Sequence, residues 1–169
     1  MKIELKKLKV FEAGSEETNC FTADIWIDGR YQGSARNDGR GGSHIISPPS
    51  LERILNDWGK QLPPYNLGIP SHEDPTKPMM VDQDAESLIN DLVQDFLNAK
   101  DLKKIFRTKV AFTRPNQMGI FTIKTNCKPE VFIQNAEAVQ NLRTRHNAEQ
   151  ILNMMPFEEA LQIYIEKGK

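Results

Sequence analysis

Phe21-Thr22-Ala23-Asp24-Ile25-Trp26-Ile27-Asp28-Gly29-Arg30-Tyr31-Gln32-Gly33-Ser34-Ala35 alternates over its first seven residues between apolar and largely polar positions. Strand side chains repeat every two residues, so Phe21, Ala23, Ile25 and Ile27 belong to one half-buried face. Asp28-Gly29 supplies the two positive-φ positions of a tight hairpin turn, and Tyr31, Gly33 and Ala35 continue as the returning strand. Upstream, Ile3 and Leu5 share one parity while Leu8 and Val10 resume on the other, after Lys6-Lys7. That phase change predicts a bulge or a face swap in a first strand. Together these residues predict a three-strand antiparallel meander at the N-terminus.

Further along, the period lengthens. Ser50 is a candidate N-cap for a helix bearing Leu51, Ile54, Leu55, Trp58 and Leu62. Residues 63–80 begin with PPYNLGIPSHEDPTKP, too rich in proline for a helix or a central strand, and are expected to form an extended surface loop. From about Asp82 to residue 106 a stripe of Ala85, Leu88, Ile89, Leu92, Val93, Phe96 and Leu97 predicts a core helix, capped by Asp82 or Asp84. Val110/Phe112 and Phe121/Ile123 flank RPNQMG as a second hairpin with a longer loop. Pro129 suits the first turn of a helix carrying Phe132, Ala136, Val139 and Leu142. Ile151-Leu152 reads as a short edge strand, and Pro156 opens a last helix with Phe157, Ala160, Leu161 and Tyr164. The fold class expected is α+β: a mainly antiparallel sheet, the meander plus the second hairpin, packed by about four helices in a single domain spanning 1–169.

The chain is 169 residues long with 22 Lys+Arg against 23 Asp+Glu, which argues against a globally basic nucleic-acid coat. Charge is nonetheless uneven: residues 61–106 hold four basic against eight acidic groups, and residues 107–169 nine against six. No apolar run reaches the roughly 18 residues of a membrane span, and the N-terminus lacks the apolar core of a signal peptide. A cytoplasmic location, without a membrane partner, is the expectation. Cys20 and Cys127 lack metal-type spacing and read as free thiols of a reducing compartment, a single disulfide being the alternative.

The segment with the most functional character is Arg36-Asn37-Asp38-Gly39-Arg40-Gly41-Gly42-Ser43-His44. Glycines allow consecutive backbone N–H groups to point into one concavity and hold an anion, and Arg36, Arg40 and Ser43 would add charge-assisted bonds. The spacing matches neither a Walker A loop nor a dinucleotide fingerprint. A second candidate is a basic sheet face built from Arg107, Lys109, Arg114, Lys124 and Lys128, with Lys109 and Lys124 projecting opposite the apolar residues of the second hairpin. His72-Glu73-Asp74 and His146 read as a surface loop and a helix end, so no metal site and no cofactor are expected. An enzyme using His44 or Cys127 ranks last among the readings, because no nucleophile–base constellation accompanies them.

Glu17-Thr18-Asn19-Cys20-Phe21 through Asn37-Asp38-Gly39-Arg40-Gly41-Gly42 resembles small proteins encoded by bacteriophages and other bacterial mobile elements. In those a Cys-Phe strand, an Asn/Asp-Gly hairpin and an Asn-x-Gly-x-Gly-Gly loop come in this order. The C-terminal pattern, Phe121-Thr122-Ile123-Lys124-Thr125 before a helix and Ile151-Leu152-Asn153 before the last one, is similar as well. The resemblance carries no activity, cofactor or catalytic residue. It implies a mobile-element accessory protein, and with the missing catalytic set and the exposed Gly-rich and Pro-rich loops it leads to the expectation of a non-enzymatic protein that binds a host macromolecule, with inhibition of a bacterial defence system as a role of that kind. A host protein is the expected partner, and nucleic acid or nucleotide binding through the Gly-rich loop and basic hairpin is the alternative. Homodimerisation is compatible with either.

Overall fold

β1 (Ile3–Val10), β2 (Phe21–Ile27), β3 (Arg30–Asn37) and β4 (Ile45–Ser47) form one antiparallel sheet in that order. They belong to a computed structural model that describes residues 1–168, in two compact units, Met1–Gln94 and from Asp95 onward. The expected parity change in β1 is a bulge. Leu5 lies opposite Ile25 and Val10 opposite Phe21, with the register slipping between Lys6 and Lys9 and Lys7 in the left-handed region at φ 51°. The extra residue keeps Ile3, Leu5 and Val10 on the face of Phe21, Ala23 and Ile25, whose burial removes their apolar surface from water. Asp28 and Gly29, at φ 48° and 79°, make the turn into β3. On the opposite face Lys6 sits 3.8 Å above the Trp26 ring and Tyr31 meets that ring edge-on.

The inner face of β3 is made of small residues for a reason of space. A Cβ on Gly33 would lie 2.0 Å from the Ser47 carbonyl and 2.9 Å from Leu51, so only glycine lets α1 (Pro49–Gly59) begin so close to the sheet. Pro48 occupies the N-cap position and Pro49 the first helical one. Ser50 therefore lies in the first turn rather than at the cap, because Pro49 already has the φ that helix entry requires. Leu51 and Leu55 are buried, whereas Ile54 is exposed.

The proline-rich region is extended and exposed but paired: β5 (Tyr65–Pro70) and β6 (Pro78–Val81) form a separate two-stranded ribbon. Its prolines fall at strand ends, where Pro70 faces Pro78, so the missing N–H groups interrupt little of the ladder. α2 (Ala85–Thr108) starts with a reciprocal cap, Asp84 Oδ1 accepting from the Ser87 N–H while the Asp84 N–H donates to Ser87 Oγ, both at 2.8 Å. Ala85, Leu88, Ile89 and Val93 are buried as expected. Phe96 is not: past Val93 the packed face passes to Ala99, Leu102, Ile105 and Phe106.

In the second unit β7 (Val110–Arg114) and β8 (Gln117–Ile123) are joined by Pro115-Asn116, a tighter turn than expected. β7 is buried on both faces. Val110 and Phe112 pack with Leu142, Ala148 and Ile151, while Ala111 joins Leu102, Leu152, Ala160 and Leu161 on the other side. The helix expected from Pro129 is two helices, α3 (Pro129–Phe132) and α4 (Ala136–His146). Asn135 separates them, its side chain accepting from the Ala138 N–H as a new N-cap, and Asn147 at φ 54° ends α4. Phe132, Val139 and Leu142 still meet in one cluster, as their spacing implied. Ile151 makes a single bridge to Phe112 before a 3-10 turn at Leu152–Met154, and Pro156 caps α5 (Phe157–Lys167).

Candidate functional site

The Gly-rich loop leaves β3 at Asn37, which is 4% exposed and makes four side-chain hydrogen bonds. Its Oδ1 accepts from the Gly39 N–H at 2.7 Å and from Thr18 Oγ1 at 2.8 Å. The backbone donor at Gly39 settles which end of the amide is oxygen, so Nδ2 is the donor to the Gly42 carbonyl at 2.7 Å and to His44 Nδ1 at 3.0 Å. His44 Nδ1 is then an acceptor, and the ring proton resides on Nε2, 3.0 Å from Asn90 Oδ1 on α2. The ring also meets Phe21 edge-on at 5.0 Å. His44 is thus a bridge between the loop, the sheet and α2.

Backbone groups of the loop are engaged in the same way. The N–H groups of Gly39, Arg40 and Gly41 point to Asn37, Asp38 and Thr18. A nest of consecutive N–H groups does exist nearby, at Glu16, Glu17 and Thr18, and its occupant is the Gly39 carbonyl, at 3.0, 2.9 and 3.2 Å. Gly39 sits at φ 85°, and a Cβ there would lie 1.9 Å from the Gly14 carbonyl. The glycines therefore seat the loop on the 12–20 segment, and three of the N–H groups that would cradle an anion are engaged within the protein. What the loop presents outward is side chains: Arg36, Arg40 and Ser43 are exposed. Beside it lies a shallow depression of about 310 Å³, bounded by Phe11, Cys20, Thr22, Arg36, Asp38 and Ile45.

The second candidate is rearranged more strongly. Because Ala111 and Thr113 are buried, the face of β7 opposite Val110 and Phe112 is no open basic sheet. A strand packed between two layers is buried on both sides, which a two-residue alternation does not distinguish from a half-exposed one. Lys109 is half-buried, with its carbonyl held by Asn153, whereas Lys124 and Lys128 are exposed. Arg114 lies over the Phe121 ring, 4.1 Å from its centroid, and its Nε is buried without a hydrogen-bond partner. Arg107 faces elsewhere, into grooves along α2.

Three polar residues hold the architecture, and of these sequence reading singled out only Asn37, as part of a binding loop. Asn153 Oδ1 accepts from the Ala111 N–H at 2.7 Å, and its Nδ2 donates to the Lys109 carbonyl at 3.1 Å. Thr113, fully buried, exchanges hydrogen bonds with Gln150. Asn37 is the third. No sequence period signals such residues, since each pairs with a partner far along the chain. Both cysteines are free, Cys20 half-buried and Cys127 exposed. Among the described residues no cluster of three or more His, Cys, Asp or Glu side chains is placed to hold a metal, and no helix is long and apolar enough to cross a membrane. No protein-family model matches this sequence, and comparison with curated proteins and with solved structures found no significant match.

Proposed function

We propose that this chain is a protein-binding accessory module whose main contact is the β5–β6 ribbon. The carrying observation is its apolar exposure: Leu67, Ile69, Met80 and Val81 are 49%, 50%, 48% and 40% exposed, on two strands that pair only with each other. A lone two-stranded ribbon is marginal in water, and large apolar side chains gathered on it mark an interaction surface. The ribbon is anchored at its base, where the Tyr65 hydroxyl donates to Asp91 and Gln83 Nε2 donates to the Pro63 carbonyl at 2.7 Å. Its tip is ordered by Asp74, which accepts from Thr76 and pairs with Lys77 at 3.3 Å. Anchoring lowers the ordering entropy a partner must overcome.

A host protein in the bacterial cytoplasm is the partner this reading takes, in line with the resemblance to mobile-element proteins. Occlusion of a defence component needs a complementary surface and no catalytic group. Native mass spectrometry of the tagged chain from bacterial lysate tests it. A stoichiometric protein partner is expected, lost in Leu67→Asp/Ile69→Asp and retained in Arg53→Gln. A clean monomer mass, or a partner that the ribbon variant still holds, overturns the reading. A mass of two copies reassigns the ribbon to self-association.

A further inference from the structure

The depression beside the Gly-rich loop lies on the outward face of the first sheet, where one cross-strand row reads Lys9, Thr22, Arg36. Neighbouring strands are about 4.8 Å apart, so the two cations flank the threonine hydroxyl from either side. The other lysines of the N-terminal strand region are engaged: Lys2 with Glu4 at 3.0 Å, Lys6 on the Trp26 ring, and Lys7 with Asp24 at 2.9 Å. Among the described residues the side chains of Lys9 and Arg36, both exposed, have no such partner. One row further, Phe11 pairs with Cys20, its N–H donating to the Cys20 carbonyl at 2.8 Å, and its ring is 50% exposed at the rim. Asp38 bounds the depression from the end of β3; its Oδ1 accepts from the Arg40 N–H at 3.3 Å, and its Oδ2 has no partner among the described residues. Ile45, opposite Arg36, closes the far side.

We infer that this depression binds a guanine nucleotide, its phosphate between Lys9 and Arg36 above Thr22 and its base on Phe11 with the N–H edge at Asp38. A guanidinium fork and an ammonium with a hydroxyl between them are the donors a phosphate takes. Two residues along a strand advance about 7 Å, a gap that a ribose bridges between phosphate and base. An exposed phenyl face at that distance suits a base, since every base has a π-face. An ionised carboxylate only accepts, and among the common bases guanine alone offers it two adjacent donors, N1–H and the 2-amino group. The volume of about 310 Å³ lies at the lower end for small-molecule sites. A free nucleotide and the 5′-phosphorylated end of a strand present the same chemistry. The inference uses no residue of the ribbon and stands independently of that reading.

Titration of the isotope-labelled chain with GMP, followed by amide NMR, tests it. Saturable shifts at Thr22, Arg36 and Asp38 are expected, with a Kd below about 1 mM. Arg36→Gln and Thr22→Val should each weaken GMP roughly tenfold, the low end for a bond to a charged group, and Arg53→Gln, the same charge change on α1, should leave it unchanged. AMP should bind roughly tenfold more weakly than GMP, and Asp38→Asn should remove that preference. Phe11→Ala should weaken GMP and leave inorganic phosphate unaffected. Absence of saturation, full affinity in Arg36→Gln, or binding of AMP, phosphotyrosine or inorganic phosphate as tight as that of GMP overturns the proposal. A 5′-phosphorylated oligonucleotide beginning with guanosine, binding more tightly than GMP, assigns the site to a strand end; equal or weaker binding assigns it to the free nucleotide. Amide spectra unchanged away from the depression establish that each variant folds.

Discussion

Replacing Asn37 with alanine deletes four hydrogen bonds of 2.7–3.0 Å around a side chain that is 4% exposed. Two consequences differ in size. Thr18 and His44 are half-buried, and water can replace their lost partner at little net cost. Gly39 is buried and held on the 14–20 segment, so its N–H is left without a partner. A typical bond contributes about 0.5–1.5 kcal/mol net, and an orphaned buried group costs about 1–3 kcal/mol. The sum expected for Asn37→Ala is about 2–4 kcal/mol. With a urea m-value of about 2 kcal/mol/M, the midpoint of the transition that reports the first unit should fall by roughly 1–2 M. The loop should also loosen as one body, because the Gly39 carbonyl gathers the N–H groups of Glu16, Glu17 and Thr18. Hydrogen exchange should therefore speed at residues 16–18 and 39 together, while β1 and β2 amides keep their relative protection. Asn37→Asp retains both accepted bonds and loses both donated ones, so it should lie between wild type and alanine. A loss below about 0.5 kcal/mol for Asn37→Ala, the size of an ordinary surface substitution, would refute the view that this amide organises the loop.

Gly39→Ala should destabilise the first unit by at least the roughly 1–2 kcal/mol of a left-handed alanine, since its Cβ also meets the Gly14 carbonyl at 1.9 Å; an unchanged melting curve would count against the close approach. Asn153→Ala should cost about 1–3 kcal/mol in the second unit by orphaning the Ala111 N–H and the Lys109 carbonyl, and amide exchange at Ala111 reads it directly. The Asp74 carboxyl is held below the 3.8 of an unperturbed aspartate, chiefly by its bonds from Thr76 and then by Lys77. A depressed folded value means that the tip gains order above the unfolded pKa and loses it as pH falls through the folded one. The Thr76 amide shift should therefore titrate with a midpoint below 3.8, and Asp74→Asn should abolish that titration.

Local rules read well wherever the physics is local. The parity change across Lys6-Lys7, the Asp28-Gly29 turn, the Asp84 cap and the stripe through Val93 each depend on residues within a turn or a strand of one another, and each was legible. The reading lost ground where a second layer or a distant partner enters. β7 alternates like a half-exposed strand, yet more than thirty residues downstream Leu152 and α5 cover Ala111, and Glu149 and Gln150 engage Thr113. The loop after Asn37 looks like an open anion nest until Thr18 and residues 16–17, some twenty positions upstream, are seen to hold it. The ribbon was hidden by proline content, because pairing there needs only a few backbone bonds between the prolines. Asn135, a polar residue inside an apolar period, was the one available sign that the helix from Pro129 divides.

The cations of α2 show how a tally along the chain and a surface in space diverge. Residues 61–106 carry net negative charge, yet Lys100, Lys103 and Lys104, which line one groove of α2 with Arg107, fall in that segment. The acids of α2, Glu86, Asp91, Asp95 and Asp101, fall at other positions around the helix. The ribbon poses the complementary question of scale. Four half-exposed apolar side chains offer on the order of 300 Å². A stable interface takes roughly 800 Å² per partner, with an apolar centre and a polar rim. The ribbon can therefore be only the centre, and the rim must come from its polar tip, His72, Glu73, Thr76 and Lys77, which are all exposed. Energy in such interfaces concentrates at the centre. A charge introduced at Leu67 or Ile69 should thus abolish capture, whereas His72→Ala or Glu73→Gln should alter its rate and salt dependence and leave the complex intact.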